Sequence, residues 1–175
     1  DSMTFYLSDV KKLADDRREQ QDAQAKMLSA HVFALIADPT KTSGEPTALK
    51  PVPKFDFTPM DDATKRLSKS AAAYDDAFAK HAASLPPEQR TRLMALMQTI
   101  DQTLTPDVGL PGRPWYKNLI YAPGRYTGYG AKTLPGIREG IEDERWEDAT
   151  RYIKLTADAL NAYSDRLDQA RSVLT

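Results

Sequence analysis

The chain has no cysteine among its 175 residues, which excludes disulfides, thiolate metal ligands and cysteine nucleophiles together. Histidine is nearly as scarce, with only His31 and His81. Each lies among Ala, Met, Leu and Phe. The positions three residues before them are Leu28 and Phe78, where a helical metal site of the ferritin kind needs Glu. Neither sign of charge is in surplus: 24 Lys and Arg stand against 25 Asp and Glu. A nucleic-acid binder needs excess positive charge to neutralise phosphates, so that class is excluded. The longest apolar run, residues 32–37, is far short of the ~20 residues that cross a bilayer, and no membrane contact is expected. The sequence opens Asp1-Ser2-Met3 without a basic stretch followed by an apolar one, so a signal peptide is not expected either. No Gly-x-Ser-x-Gly elbow occurs. Gly124, Gly128 and Gly130 follow a proline turn without the spacing of a phosphate loop. On its own residues the chain has no catalytic apparatus, cofactor site or metal site.

Helical periodicity is what the sequence does have. Four long amphipathic segments predict an all-α fold, a four-helix bundle forming one domain over 1–175. A first helix spans 1–37, with Ser8 as a plausible N-cap and Asp38-Pro39 as its stop. Residues 15–22 within it are wholly polar. They read equally as an exposed overhang or as contact with a partner. Residues 38–58, with Pro39, Gly44, Pro46, Pro51 and Pro53, read as an extended connection anchored by Phe55 and Phe57. A helical hairpin follows over 59–105. Thr58 is its N-cap and Pro59 its first helical residue, with Asp61 and Asp62 in the first turn. The stripe Ala63, Leu67, Ala71, Tyr74, Phe78, Ala82 and Leu85 ends at Pro86-Pro87. The stripe Leu93, Met97, Ile100 and Leu104 then returns antiparallel. Terminal helices occupy 136–175, with the stripe Trp146, Ala149, Ile153, Leu160, Tyr163, Leu167, Ala170 and Leu174. Met94, Met97 and Leu155 fall at stripe edges and are candidates for a self-association face.

Residues 106–135 have a different composition. Seven of the eight glycines lie between positions 109 and 140, and four of the eight tyrosines between 116 and 129. Long ordered loops in compact domains tend to be functional. Glycine supplies sharp turns, and tyrosine supplies a rigid contact surface with a hydrogen-bonding tip. If the chain has a site, it lies here. Trp115 and Tyr121, beside prolines, read as buried anchors, and Arg113 and Arg125 as solvated residues.

The run Gly109-Leu110-Pro111-Gly112-Arg113-Pro114-Trp115-Tyr116 is followed by Leu119-Ile120-Tyr121-Ala122-Pro123 and by Leu134-Pro135-Gly136-Ile137. In this order the motifs resemble the transferrin receptor-like dimerisation domain, the C-terminal helical domain of glutamate carboxypeptidase II and its relatives. The likeness is specific over 109–140 and continues in helix order from about residue 50 to the end. It implies a non-catalytic dimerisation module of a larger peptidase whose two zinc ions sit in a separate, preceding domain. The implied partners are a second copy, the parent's own peptidase domain and a peptide substrate. The implied location is periplasmic or secreted, and a composition rich in Ala, Arg and Asp fits a bacterial source. In that family a Lys-Tyr pair in the loop contacts the C-terminal glutamate of the substrate. Aligned without gaps, Tyr129 takes the place of the tyrosine and Gly128 that of the lysine. Arg125 and Lys132 are the nearby cations that could supply the missing charge. The alternative to this reading is a helical receptor or adaptor that binds a protein or small ligand with no peptidase attached.

Overall fold

A computed structural model describes residues 2–33, 46–126, 128 and 130–175. The terminal helix is the axis on which the rest assembles. The helices are α1 (Ser2–Ser29), α2 (Thr58–His81), α3 (Pro87–Gln98), α4 (Pro135–Glu142) and α5 (Trp146–Leu174). Short 3-10 turns follow α2 at Ala82–Ser84 and α3 at Ile100–Leu104. The fold is all-α, and α2, α3 and α4 all pack on α5.

The α2–α5 contact dominates. Its α2 side is built from small residues: Ala63, Ser70 and Ala77 are buried at seven-residue intervals, a spacing that keeps one face toward a partner helix. On α5, Ala157, Ser164 and Ala170 are buried in turn. The Ser164 hydroxyl, with no water to bond, donates to the Leu160 carbonyl at 2.8 Å. Arg66 bridges the pair through the Asn161 carbonyl and the carboxylates of Asp165 and Asp168. Ala77 shares a cluster with Ala170, Val173 and Leu174, so the two helices run in the same direction. α3 then returns: Leu93 joins that distal cluster, while Leu104 packs on the main core. The chain therefore reverses at Pro86-Pro87 as expected, but α2 and α3 do not form a face-to-face hairpin. Their main contacts are with α5, and they meet each other only through the distal cluster that Ala77 and Leu93 share.

α1 docks against α4 and the start of α2 through the buried ladder Met3, Leu7, Val10 and Ala14. Ser8 is inside this helix rather than at its cap, since the helix already begins at Ser2. The helix ends at Ser29, and His31 adopts a left-handed φ of 51°, short of the expected run to 37. The expected stop at Asp38-Pro39 and Gly44 lie outside the described residues. The polar stretch matches neither expectation in full. Gln21 and Gln24 accept hydrogen bonds from the backbone N–H groups of Val52 (3.1 Å) and Leu49 (2.8 Å). Arg17 donates to the Glu142 carbonyl at the C-terminal end of α4. The polar face thus holds the described part of the extended connection, residues 46–57, whose backbone has no ladder of its own to satisfy it.

That connection ends on Phe55 and Phe57, half-buried on the main core, with the Phe55 ring 6.0 Å from that of Trp146. Helix α2 starts one residue away from the expected arrangement. Asp56, not Thr58, supplies the side-chain acceptor, taking the Thr58 N–H at 2.9 Å. These bonds to Thr58 lower the Asp56 pKa below its usual 3.8.

Candidate functional site

Residues 106–134 run between the 3-10 turn after α3 and the start of α4, and backbone hydrogen bonds give them their shape. The Leu119 N–H donates to the Leu104 carbonyl at 3.0 Å, and the Leu134 N–H to the Ile120 carbonyl at 2.7 Å. Between these ties, Leu110 N–H donates to the Tyr116 carbonyl at 2.8 Å and Arg113 N–H to the Leu110 carbonyl at 3.0 Å. This tight loop needs Gly109: its φ is +57°, and a Cβ there would lie 2.1 Å from the Pro114 carbonyl oxygen. Asn118 Oδ1 accepts from both Ile120 and Tyr121 N–H. The loop then forms a small antiparallel hairpin, β1 (Tyr121–Pro123) with β2 (Ala131–Thr133), in the register Ala122 to Lys132. Three-residue strands, one ending in proline, are too short to alternate visibly, so sequence periodicity gave no sign of them.

Arg113 and Glu139 form the buried centre of this region. Arg113 was expected in solvent. Instead it is buried and pairs with Glu139 of α4 at 2.8 Å, while its second terminal nitrogen donates to the Pro123 carbonyl at 2.5 Å. The same Glu139 oxygen accepts the Arg125 backbone N–H at 3.0 Å. One carboxylate therefore fastens the loop before the hairpin to the hairpin tip. Removing either partner of such a pair leaves an uncompensated buried charge, which costs about 3–5 kcal/mol.

A second clamp comes from α5. The buried Tyr152 hydroxyl donates to the Gly109 carbonyl at 2.5 Å. Its ring fills the space left by Gly136, where a Cβ would be 2.2 Å from the ring edge. Burial raises the Tyr152 pKa above 10. Gly140 similarly lets α4 approach Ala149 of α5, a Cβ there meeting its backbone nitrogen at 2.7 Å. Tyr152 lies one position from the stripe residue Ile153, and its polar tip gave the sequence reading no reason to single it out.

With the loop held by backbone bonds, Arg113 and Tyr152, its aromatic residues are left outside. Trp115 is 72% and Tyr121 60% exposed, so neither is the buried anchor expected. Leu110, Leu119, Ile120 and Leu134 fill the core instead. Trp115 and Tyr116 have ring centroids 6.3 Å apart, and Tyr126 at the hairpin tip is also exposed. All four aromatics are thus exposed on a loop held by backbone hydrogen bonds.

Of the four residues singled out for substrate contact, Tyr129 lies outside the described residues. Gly128 sits exposed at the hairpin tip with φ +63°. Arg125 is exposed, 3.9 Å from Asp143, with its guanidinium over the Tyr126 ring. Lys132 is paired with Glu142. Both cations thus face consecutive acids at the end of α4. An open groove of about 490 Å³ runs beside the tip, lined in part by Gly112, Arg125, Arg145 and Tyr152. Arg145 is tied to Asp148 and Asp143, but Arg125 and Arg151 also line the groove and leave it net positive. Among the described residues, no group of three or more His, Asp or Glu could hold a metal ion, and no helix is long and apolar enough to cross a membrane.

Comparison with known proteins places this geometry. The family described as the transferrin receptor-like dimerisation domain matches residues 55–168. A probable glutamate carboxypeptidase of Arabidopsis thaliana is 38% identical over 60 residues, covering 30% of this chain and 9% of the plant protein. A probable glutamate carboxypeptidase of Arthroderma benhamiae is 28% identical over 109 residues, covering 62% of this chain and 15% of the fungal protein. The chain therefore spans only a small part of the length of either relative.

Proposed function

The chain belongs to the transferrin receptor-like dimerisation domain family, and from that premise we propose that it is the non-catalytic dimerisation module of a glutamate carboxypeptidase-like dizinc metallopeptidase. In this reading the module brings two copies of the parent together. It also lends the loop that carries Tyr129, Gly128, Arg125 and Lys132 to the substrate pocket of the parent's peptidase domain. The zinc ions, on the same reading, belong to that domain. The parent acts on peptides outside the cytoplasm, in the periplasm or after secretion.

The observation that carries the proposal is the set of exposed aromatics on this loop. Trp115, Tyr116, Tyr121 and Tyr126 are each exposed on a segment held by Arg113, Glu139 and Tyr152. Rigid aromatics lose little conformational entropy on contact, so such a surface favours binding. A tyrosine hydroxyl at the tip can donate to a substrate carboxylate, a charge-assisted bond worth about 1.5–3 kcal/mol. The test is steady-state kinetics of the parent on a peptide with a C-terminal glutamate. Tyr129→Phe is expected to raise KM roughly tenfold to a hundredfold with kcat little changed. Unchanged kinetics would remove the loop from the pocket. A parent with no paired metal ligands ahead of this domain would favour the adaptor reading.

A further inference from the structure

At the end of the domain away from this loop lies a second, smaller core. The distal cluster has six buried residues, Ala77, Leu85, Leu93, Ala170, Val173 and Leu174, with the partly buried Tyr74, Leu96 and Met97 packed against it. Beside it, Phe78 is 46% and Met94 55% exposed. Phe78 fell on the apolar stripe of α2, but the small residues Ser70 and Ala77 face α5 instead. Tyr74 packs on the distal cluster, and Phe78, its ring 5.8 Å from that of Tyr74, is left on the exposed side.

We propose that this face of α2, centred on Phe78, is a two-fold contact with a second copy of the chain. The inference rests on the dimerisation reading above and adds the surface through which it acts. Its warrant is the self-complementarity of the helix. In a two-fold pair of antiparallel helices centred on residue 78, each position three before the centre meets the one three after it on the partner. Here those positions are Asp75 and His81, both exposed and without an ion pair among the described residues. An imidazole N–H of each copy can donate to the carboxylate of the other. A stable interface removes at least about 1,200 Å² in total. One helix pair falls short of that; Met94 on α3, next to Leu93 of the distal cluster, is a further exposed apolar residue at this end.

The natural absence of cysteine makes the test direct. A residue on a two-fold axis meets its own copy, so Phe78→Cys should yield a covalent dimer under mild oxidation. Lys69→Cys, exposed on the opposite face of α2, should not. In parallel, light scattering should give a mass near twice 19.5 kDa for the unaltered chain. Phe78→Asp should raise the dimer dissociation constant at least about a hundredfold, because two carboxylates would then face each other across the axis. It should leave the helical circular dichroism unchanged. A dimer that tolerates Phe78→Asp and does not cross-link at position 78 overturns this surface while leaving dimerisation in place. A monomer at every concentration overturns both.

Discussion

Gly136 is the position where the packing argument can be tested with the fewest assumptions. It lies inside α4 with ordinary backbone angles, so Gly136→Ala introduces no strain of its own. Judged on helix propensity alone, the change should stabilise by about 0.5–1 kcal/mol. The structure predicts the opposite sign. The added methyl would lie 2.2 Å from the Tyr152 ring, against the 3.5–4.0 Å of a normal carbon contact. Overpacking of this kind costs about 1–3 kcal/mol. The ring cannot move freely to relieve it, because its hydroxyl is bonded to the buried Gly109 carbonyl at 2.5 Å, and losing that bond costs about 1–3 kcal/mol more. The net loss is about 1–5 kcal/mol, or roughly 2–20 °C in Tm for a chain of this size. The assay is urea denaturation in a double-mutant cycle with Tyr152→Ala. In that background the clash is gone, and Gly136→Ala should be neutral or slightly stabilising, giving a coupling of at least about 1 kcal/mol. A Gly136→Ala protein as stable as the parent sequence, or one whose loss persists without the tyrosine ring, refutes the reasoning.

The other expectations concern charge. Arg113→Met should cost about 3–5 kcal/mol by stranding the buried Glu139 carboxylate, and the Arg113→Met, Glu139→Leu pair should recover much of that in chemical denaturation. Stability should also fall at both extremes of pH. Tyr152 is held above its usual value of 10 by burial, so its contribution is complete below that value and is lost as pH rises through the folded pKa. Asp56 is held below 3.8 by its bonds to Thr58, so its contribution is present above 3.8 and is lost as pH falls through the lower folded value. Thermal melts across pH should show both limbs. Tyr152→Phe should shrink the alkaline limb without abolishing it, because burial also raises Tyr74 and Tyr163.

The helices were legible in the sequence because each satisfies its own backbone and needs only one apolar stripe facing inward. The α5 stripe is the clearest case: Ala149, Ile153, Leu160, Leu167, Ala170 and Leu174 are all buried. Local chemistry also marked the start of α2, where Pro59 occupies the first turn, although the capping side chain proved to be Asp56. The loop was legible only as a composition. Its glycines and tyrosines said that residues 106–135 were unusual, and the order of motifs pointed to the family that the comparison shows.

What each loop residue does was decided by contacts between segments far apart in the chain. Arg113 is buried because Glu139 lies opposite it, 26 residues on, and nothing within a few residues of either announces the other. Trp115 and Tyr121 are exposed, while Leu110, Leu119, Ile120 and Leu134 of the same segment fill the core behind it. The same holds for α2: the stripe includes Phe78, but the close approach of α5 admits only Ser70 and Ala77 and turns Phe78 outward. Periodicity says which residues share a face of a helix. How near the next helix comes sets which of them fit beneath it, and that distance is a property of the assembled fold.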